Sequence, residues 1–525
     1  MNTGKKNYAV IVLIGIVIVF MIITMLGHVR YPWRALKAVF VSNDISLSSF
    51  KEGFQSRLTD SFALKNHFIN LNGWFAGFLD QTTCNEVIKL NNGMLTNDIP
   101  EIDVSPYAKN ALEFKDFLAE QGIEFLYISE PYKVDLCKQL LPVGIENSGN
   151  ETASALNSLL EDGGVHVLDL RPELSATPEQ VERYFFKTDH HWTFEGAFIA
   201  FQRIGEELCK LFPEESIELS YANFDQWEAR TLKNWSLGSH GRRVGIYYGG
   251  TDDITYYTPR FETSMSCAIP NHVQLYKGDF NTANIRKRYI EQRNYFDNNA
   301  YEMYIGGQYP LVCHRNPLAP NDLRILMVID SFGRPVQAYL STLFQEVDVI
   351  DPRQYDFNIA EYVQYSQPDV VIEMIYPRSI VNEANFEYGC AEAAATDFHS
   401  RQEILDAQDT VVEDGYTSLP VRLAPGRTYI LQFDDVEFSV DMPDGAAIAL
   451  FATETGTQIS ATVFDIEYCR EYSNFSWFFT VPESTGTNLE LRFYAGLPDN
   501  PTNGATVYRG VHLYAVGQDL LSPKT

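Results

Sequence analysis

Residues 325–333 read ILMVIDSFG: five apolar residues in a row, then an acid, a serine, an aromatic and a glycine. A short continuous apolar run that ends in a turn is the pattern of a strand buried on both faces, as in parallel sheets. Downstream, the spacing predicts a helix from about 335 to 344, a strand at 347–350, a helix near 359–365 and a strand at 370–375. Upstream, apolar runs at 123–128 and 165–170 alternate with helical patterns at 108–121 and 151–160, so the same α/β alternation extends towards the N-terminus. Residues 194–211 read as a helix, with Ala197, Phe201, Ile204, Leu208 and Leu211 at helical spacing and Thr193 as its N-cap.

Between about 213 and 320 the chain is irregular and rich in Tyr, Asn and Gly, which reads as a long insertion into the α/β unit. After about residue 405 the period becomes two. Tyr429, Leu431 and Phe433 alternate with polar residues, as do Phe475, Trp477 and Phe479, and Leu489, Leu491 and Phe493. Frequent turn residues between such runs predict an antiparallel β-sandwich over 405–525. Alternation turns most of these aromatics into its core.

At the start, Tyr8–Leu26 is nineteen residues without a charge. At about 1.5 Å per residue that is roughly 28 Å, matching a bilayer core of about 30 Å. The run exceeds the usual length of a signal-peptide core, and Gly27-His28-Val29-Arg30 is not a small-x-small cleavage site. Residues 1–26 are therefore expected to be a cytoplasmic tail and an uncleaved membrane anchor, with the rest extracytoplasmic. Lys5 and Lys6 before the run and Arg30, Arg34 and Lys37 after it do not decide orientation.

Forty basic residues against 69 acidic ones give a formal charge of −29. Such a chain is repelled by nucleic acid, so no nucleic-acid partner is expected. The seven cysteines are scattered, with no CxxC pair, and predict neither a disulfide framework nor a zinc site.

Two places carry chemistry. Ser331 stands at the carboxyl end of a buried parallel strand, where doubly wound sheets place their ligand sites, and the backbone N–H groups of its turn are candidate oxyanion donors. Lys187-Thr188-Asp189-His190-His191-Trp192-Thr193 precedes the helix at 194. In an extended segment Asp189 and His191 share a side and His190 points away. A carboxylate there orients an imidazole for general-base work. Taken singly, an Asp-x-His triplet or a serine after a strand is more often structural. A metal site at Asp189-His190-His191 is a weaker alternative, since a further ligand is missing from the neighbourhood in sequence.

FFKTDHHWTFEGA, 185–197, resembles the motif of the DHHW proteins and of the alginate O-acetyltransferases of the AlgJ/AlgX type, whose Asp-x-His also precedes the serine in the chain. Phe50–Ile69 is similar to that family's segment before the catalytic core, Pro131-Tyr132-Lys133 to its Pro-x-Lys, and SLGSHGRRVG, 236–245, to the Gly-Arg-Arg-x-Gly of the DHHW proteins. The resemblance spans roughly 45–380. It implies an SGNH-hydrolase-like three-layer α/β catalytic domain over 27–395, with a C-terminal β-sandwich that resembles carbohydrate-binding modules. It further implies Ser331 as nucleophile, His191 as base and Asp189 as its partner, with His190 a weaker candidate for the base. A polysaccharide acceptor and a membrane-bound O-acyltransferase (MBOAT) supplying acetyl groups are the implied partners, and no cofactor or metal is expected. Tyr376, Arg378, Arg242 and Arg243 are candidate substrate contacts; ordinary structural roles are the rival for each. The expected activity is O-acetylation of a polysaccharide by a ping-pong route. The alternatives are an acetylesterase using the same triad, or a non-catalytic glycan-binding scaffold.

Overall fold

The computed structural model describes residues 64–517, apart from 356–357, 397, 399, 414, 440–444, 499 and 502–504. The expected anchor at Tyr8–Leu26 lies outside the described residues. Among those described, no helix is long and apolar enough to cross a membrane.

An eight-stranded sheet organises the α/β part. Its order is His166–Asp169, Glu124–Ser129, Val370–Ile375, Asn321–Ile329, Phe344–Ile350, Leu311–Arg315, Met265–Ile269 and Gln274–Gly278. The first five are parallel, as the continuous apolar runs predict. Alternate side chains of these strands enter two separate cores, which is why the runs show no polar alternation. Ile325, Met327 and Ile329 join one core with the helices Phe194–Leu211 and Gly333–Leu340. Leu326 and Val328 join the other with the helices Ser105–Ala119, Gly149–Asp162 and Ile359–Ser366. The helix at 194 starts where expected, because the Thr193 side chain accepts from Gly196 N.

The 213–320 segment is more regular than its composition suggests. It contributes a hairpin, Trp227–Ser236 with Asp252–Pro259, and the last three strands of the main sheet, all antiparallel to their neighbours. Short strands built from mixed residues such as MSCAI and QLYKG lack the long apolar run that marks the parallel ones.

From 401 onward two antiparallel sheets, one of five strands and one of four, share a single core. Leu431, Phe433, Trp477 and Phe479 meet Ile448, Leu450, Leu491 and Phe493 across it. This β-rich unit is joined to the edge strand Gln274–Gly278 and to the interior strand Phe344–Ile350 of the α/β sheet. Lys277 Nζ lies 2.8 Å from Asp465 and 2.6 Å from Glu467, and Tyr468 Oη donates to Glu346 at 2.7 Å.

One buried carboxyl tests the sheet's interior. Glu373 lies in the all-buried strand Val370–Ile375 and accepts only from Tyr388 Oη among the described residues, at 2.8 and 2.9 Å. Burial pushes it up to about 8, so it is protonated at neutral pH. Between its ordinary 4.5 and about 8 the folded chain holds a proton that the unfolded chain releases, so this group's contribution to stability falls as pH rises. Glu373→Gln is expected to flatten that slope, as read from urea unfolding midpoints across the window.

Candidate active site

Ser331 follows the central strand Asn321–Ile329 directly. Its turn is held by Asp330, whose carboxylate accepts from Phe332 N at 2.9 Å and from Tyr376 N at 3.0 Å. The ends of two adjacent parallel strands are thereby locked together beneath the serine. The Asp-x-His element reaches it from a different direction. A single antiparallel bridge between Phe185 and Trp192 closes a loop of bends, not the extended segment expected. Asp189 and His191 still meet: Asp189 Oδ1 is 2.5 Å from His191 Nδ1, and His191 Nε2 is 2.8 Å from Ser331 Oγ. His190 does not point away. Its ring lies 3.7 Å from that of His191, and its Nδ1 is 2.7 Å from Ser239 Oγ.

Contacts from distant parts of the chain hold this loop. Lys133 Nζ, fully buried, donates to the carbonyls of Leu95 (2.7 Å), Lys187 (3.0 Å) and Asp189 (2.6 Å). Burial pushes Lys133 down to about 7, opposed by Asp252 and Asp189. Three acceptors at these distances need three donors, which only the ammonium form has. Asp252, from the insertion hairpin, accepts from Lys187 N at 2.5 Å and Thr188 N at 2.8 Å. Ser239 N donates to Asp189 Oδ2 at 2.6 Å. Trp192 Nε1 donates to Tyr301 Oη and to the Phe332 carbonyl, both at 3.2 Å, tying the loop to the serine turn. Tyr301 in turn stacks on the His191 ring at 3.7 Å and fixes its plane.

Burial lowers the His191 pKa below its ordinary 6.5; the neighbouring His190 adds to this and Asp189 opposes it. Burial alone would raise Asp189, but the two imidazoles and the Ser239 N–H hold it well below the carboxylate range. The resting pair is an ionised acid and a neutral imidazole, so His191 Nε2 is free to accept the Ser331 proton. Donor atoms of Asp189, His190 and His191 also fall within 4.8 Å of one another. A metal on Asp189 Oδ1 and the two Nδ1 atoms would have to displace the hydrogen bonds that join Asp189 to His191 and His190 to Ser239.

A cavity of about 250 Å³ opens at Ser331. Tyr376 and Arg378 line it, as does Arg243, while Arg242 is not among its walls. The Arg243 guanidinium is engaged by Glu86 and the Asn85 carbonyl, both at 2.7 Å, so salt bridging is its visible role. His240 also lines the cavity and was not anticipated. Among the described residues, His240 Nε2 and Tyr376 Oη are buried without a hydrogen-bond partner, each residue being at most 4 % exposed. Buried polar groups are rarely left unpaired, so unspent donors beside a nucleophile are notable.

Residues 93–233 match the family model described as SGNH hydrolase-like domain, acetyltransferase AlgX. The match covers about a quarter of the chain. The matched segment contains Asp189 and His191 and ends before Ser331. No curated protein matches the chain. Among solved structures, the SGNH-like region resembles PatB1 of Bacillus cereus (21 % identity, 57 % of this chain and 99 % of that one, TM-score 0.49). A DHHW family protein of Eubacterium siraeum aligns at 17 % identity over 58 % of this chain and 95 % of its own, with TM-score 0.44. AlgX of Pseudomonas aeruginosa aligns at 14 % identity over 82 % of this chain and 95 % of its own, with TM-score 0.34.

Two substitutions in the SGNH-like domain test the clamp. A Cβ on Gly238 would fall 2.3 Å from Asp189 Cβ, so Gly238→Ala is expected to displace the acid and lower turnover by about 10²-fold while the chain still folds. Lys133→Met takes the buried ammonium donor away from the carbonyls of Leu95 and Asp189, whereas the Lys187 carbonyl keeps the Leu95 N–H. The substitution should cost about 3 kcal/mol or more in urea unfolding, beyond its loss of activity.

Proposed function

We propose that this chain is an extracytoplasmic, membrane-anchored O-acetyltransferase acting on a polysaccharide, with Ser331, His191 and Asp189 as its catalytic triad. The observation that carries the reading is the continuous Asp189–His191–Ser331 hydrogen-bonded relay at the mouth of a cavity, in a chain that matches an acetyltransferase domain.

In the first half-reaction Ser331 Oγ attacks the carbonyl carbon of an acetyl donor and its proton passes to His191 Nε2. Asp189 stabilises the imidazolium that results. Collapse of the tetrahedral intermediate breaks the bond to the leaving group, which takes the proton from His191, and acetyl-Ser331 remains. In the second half a sugar hydroxyl gives its proton to His191 and attacks the acyl carbon. Collapse transfers the acetyl group and returns the proton to Ser331 Oγ. With the Phe332 N–H spent on Asp330, the Ser331 N–H, His240 Nε2 and Tyr376 Oη are the candidates to hold the acyl oxygen. Arg378, on the cavity wall, is the candidate for contacting the acceptor. An exported catalytic domain has no direct access to cytosolic acetyl-CoA, so a membrane-bound O-acyltransferase is the proposed supplier.

Purified protein mixed with an activated acetyl ester and a panel of oligosaccharides should add one acetyl mass to an acceptor sugar. Ser331→Ala and His191→Ala should each reduce this by at least about 10³-fold. Acetate release without sugar modification would indicate the esterase instead. Absence of both, in folded protein supplied with its membrane partner, would leave the scaffold reading.

Because burial keeps His191 neutral, the acid limb of kcat/KM is expected below pH 6.5. A limb above that value would be inconsistent with His191 as the base. His240→Gln and Tyr376→Phe should each lower kcat by about 10²-fold with the ester KM little changed. A change confined to the KM for sugar would reassign them to the acceptor.

A further inference from the structure

The helix Lys65–Phe78 is amphipathic in the wrong sense for a globular protein. Its buried residues are Gly73 and Ala76. Its outward positions include Leu71, Trp74, Phe75 and Phe78, followed by Leu79 at its end, each between 48 % and 73 % exposed. Positions 71, 74, 75 and 78 recur at helical spacing and form one stripe. The small residues face the protein because the approach there is close: a Cβ on Gly73 would lie 1.9 Å from the Val244 carbonyl. Single exposed apolar residues need no explanation, whereas a contiguous stripe of large ones marks a contact surface.

Composition indicates what covers it. From Leu64 to Leu79 there is no Asp or Glu, in a chain that carries 69 of them, and the charged residue present is Lys65. Tryptophan and phenylalanine on one face, without acid, suit the headgroup–acyl boundary of a bilayer. Residues 27–63 alone separate this helix from the uncharged run Tyr8–Leu26. We propose that the outward face of Lys65–Phe78 rests in the interfacial layer of a lipid membrane, so that the domain lies on the surface to which it is tethered. The proposal rests on the anchored reading above.

The inner face of the same helix connects this surface to the catalytic site. Asn70 Oδ1 accepts from Ile246 N at 2.8 Å, and Tyr248 Oη donates to the Gln81 carbonyl at 2.6 Å. Both partners belong to the short helix Ile246–Gly249, and the Val244 carbonyl that Gly73 approaches ends the preceding helix Ser239–Val244, which carries the Ser239 N–H that holds Asp189, and His240 on the cavity wall. A lipid-seated helix would therefore keep the Ser331 cavity at a fixed position relative to the bilayer.

The test uses the full chain reconstituted in phosphatidylcholine–phosphatidylglycerol vesicles that contain lipid brominated near the headgroup. Trp74→Phe is expected to remove a measurable share of the tryptophan quenching seen in the wild type. The exposed pair Phe75→Glu and Phe78→Glu should remove the same share with the other tryptophans still quenched as before, and with hydrolysis of a soluble acetyl ester unchanged. Equal quenching in wild type and Trp74→Phe overturns the proposal and points to cover by a protein segment, such as residues 50–58 of the same chain. Alkaline carbonate washing reports the anchor separately. Retention with Trp74 unquenched keeps the anchor and rejects the interfacial helix; release of a chain whose Trp74 had been quenched does the reverse.

Discussion

The ammonium of Lys133 sits where three segments of backbone converge, donating to carbonyls at Leu95, Lys187 and Asp189. A fully buried charge is costly, and here its compensation comes from these carbonyls and from the nearby Asp252 and Asp189. With the ammonium in place, the 187–191 loop has a defined path. Asp252 then holds the loop's N–H groups as Lys133 holds its carbonyls, so both sets of backbone groups are satisfied without secondary structure. The geometry of Asp189 and His191 follows from this clamp more than from any property of the Asp-x-His triplet itself.

This division explains what could be read in the sequence and what could not. The three inner parallel strands, Glu124–Ser129, Val370–Ile375 and Asn321–Ile329, announce themselves because their runs are buried on both faces. The helix at 194 is equally legible from its N-cap threonine and its stripe. Asp189, His191 and Ser331 stand out by motif, and the structure brings them within hydrogen-bonding distance. Lys133 was visible only as part of a Pro-x-Lys resemblance, without a role. Ser239 and His240 were visible only inside the SLGSHGRRVG resemblance, without a role, and Asp252 leaves no local trace, since its bonds join positions more than sixty residues apart. The antiparallel strands at 265–278 and 311–315 were hidden for another reason: they are short and partly exposed, so they carry no continuous apolar run.

The site also divides its labour between rigid and unspent groups. Tyr301, Trp192 and Asp330 have their polar atoms engaged and serve to fix ring planes and strand ends. His240 and Tyr376 keep a polar atom free within a buried wall. That asymmetry suits a pocket that must present donors to a charge developing on a substrate oxygen without rearranging to do so.

The outer strand Gln274–Gly278 has a significance beyond sheet size. An edge strand offers a row of unpaired N–H and C=O groups, which is a template for pairing with a second chain. Here that edge carries Lys277, and the β-rich unit is pinned to it through Asp465 and Glu467. The C-terminal unit thus acts as a guard against edge-to-edge aggregation, and a chain shortened before residue 401 would lose solubility before it lost its catalytic groups.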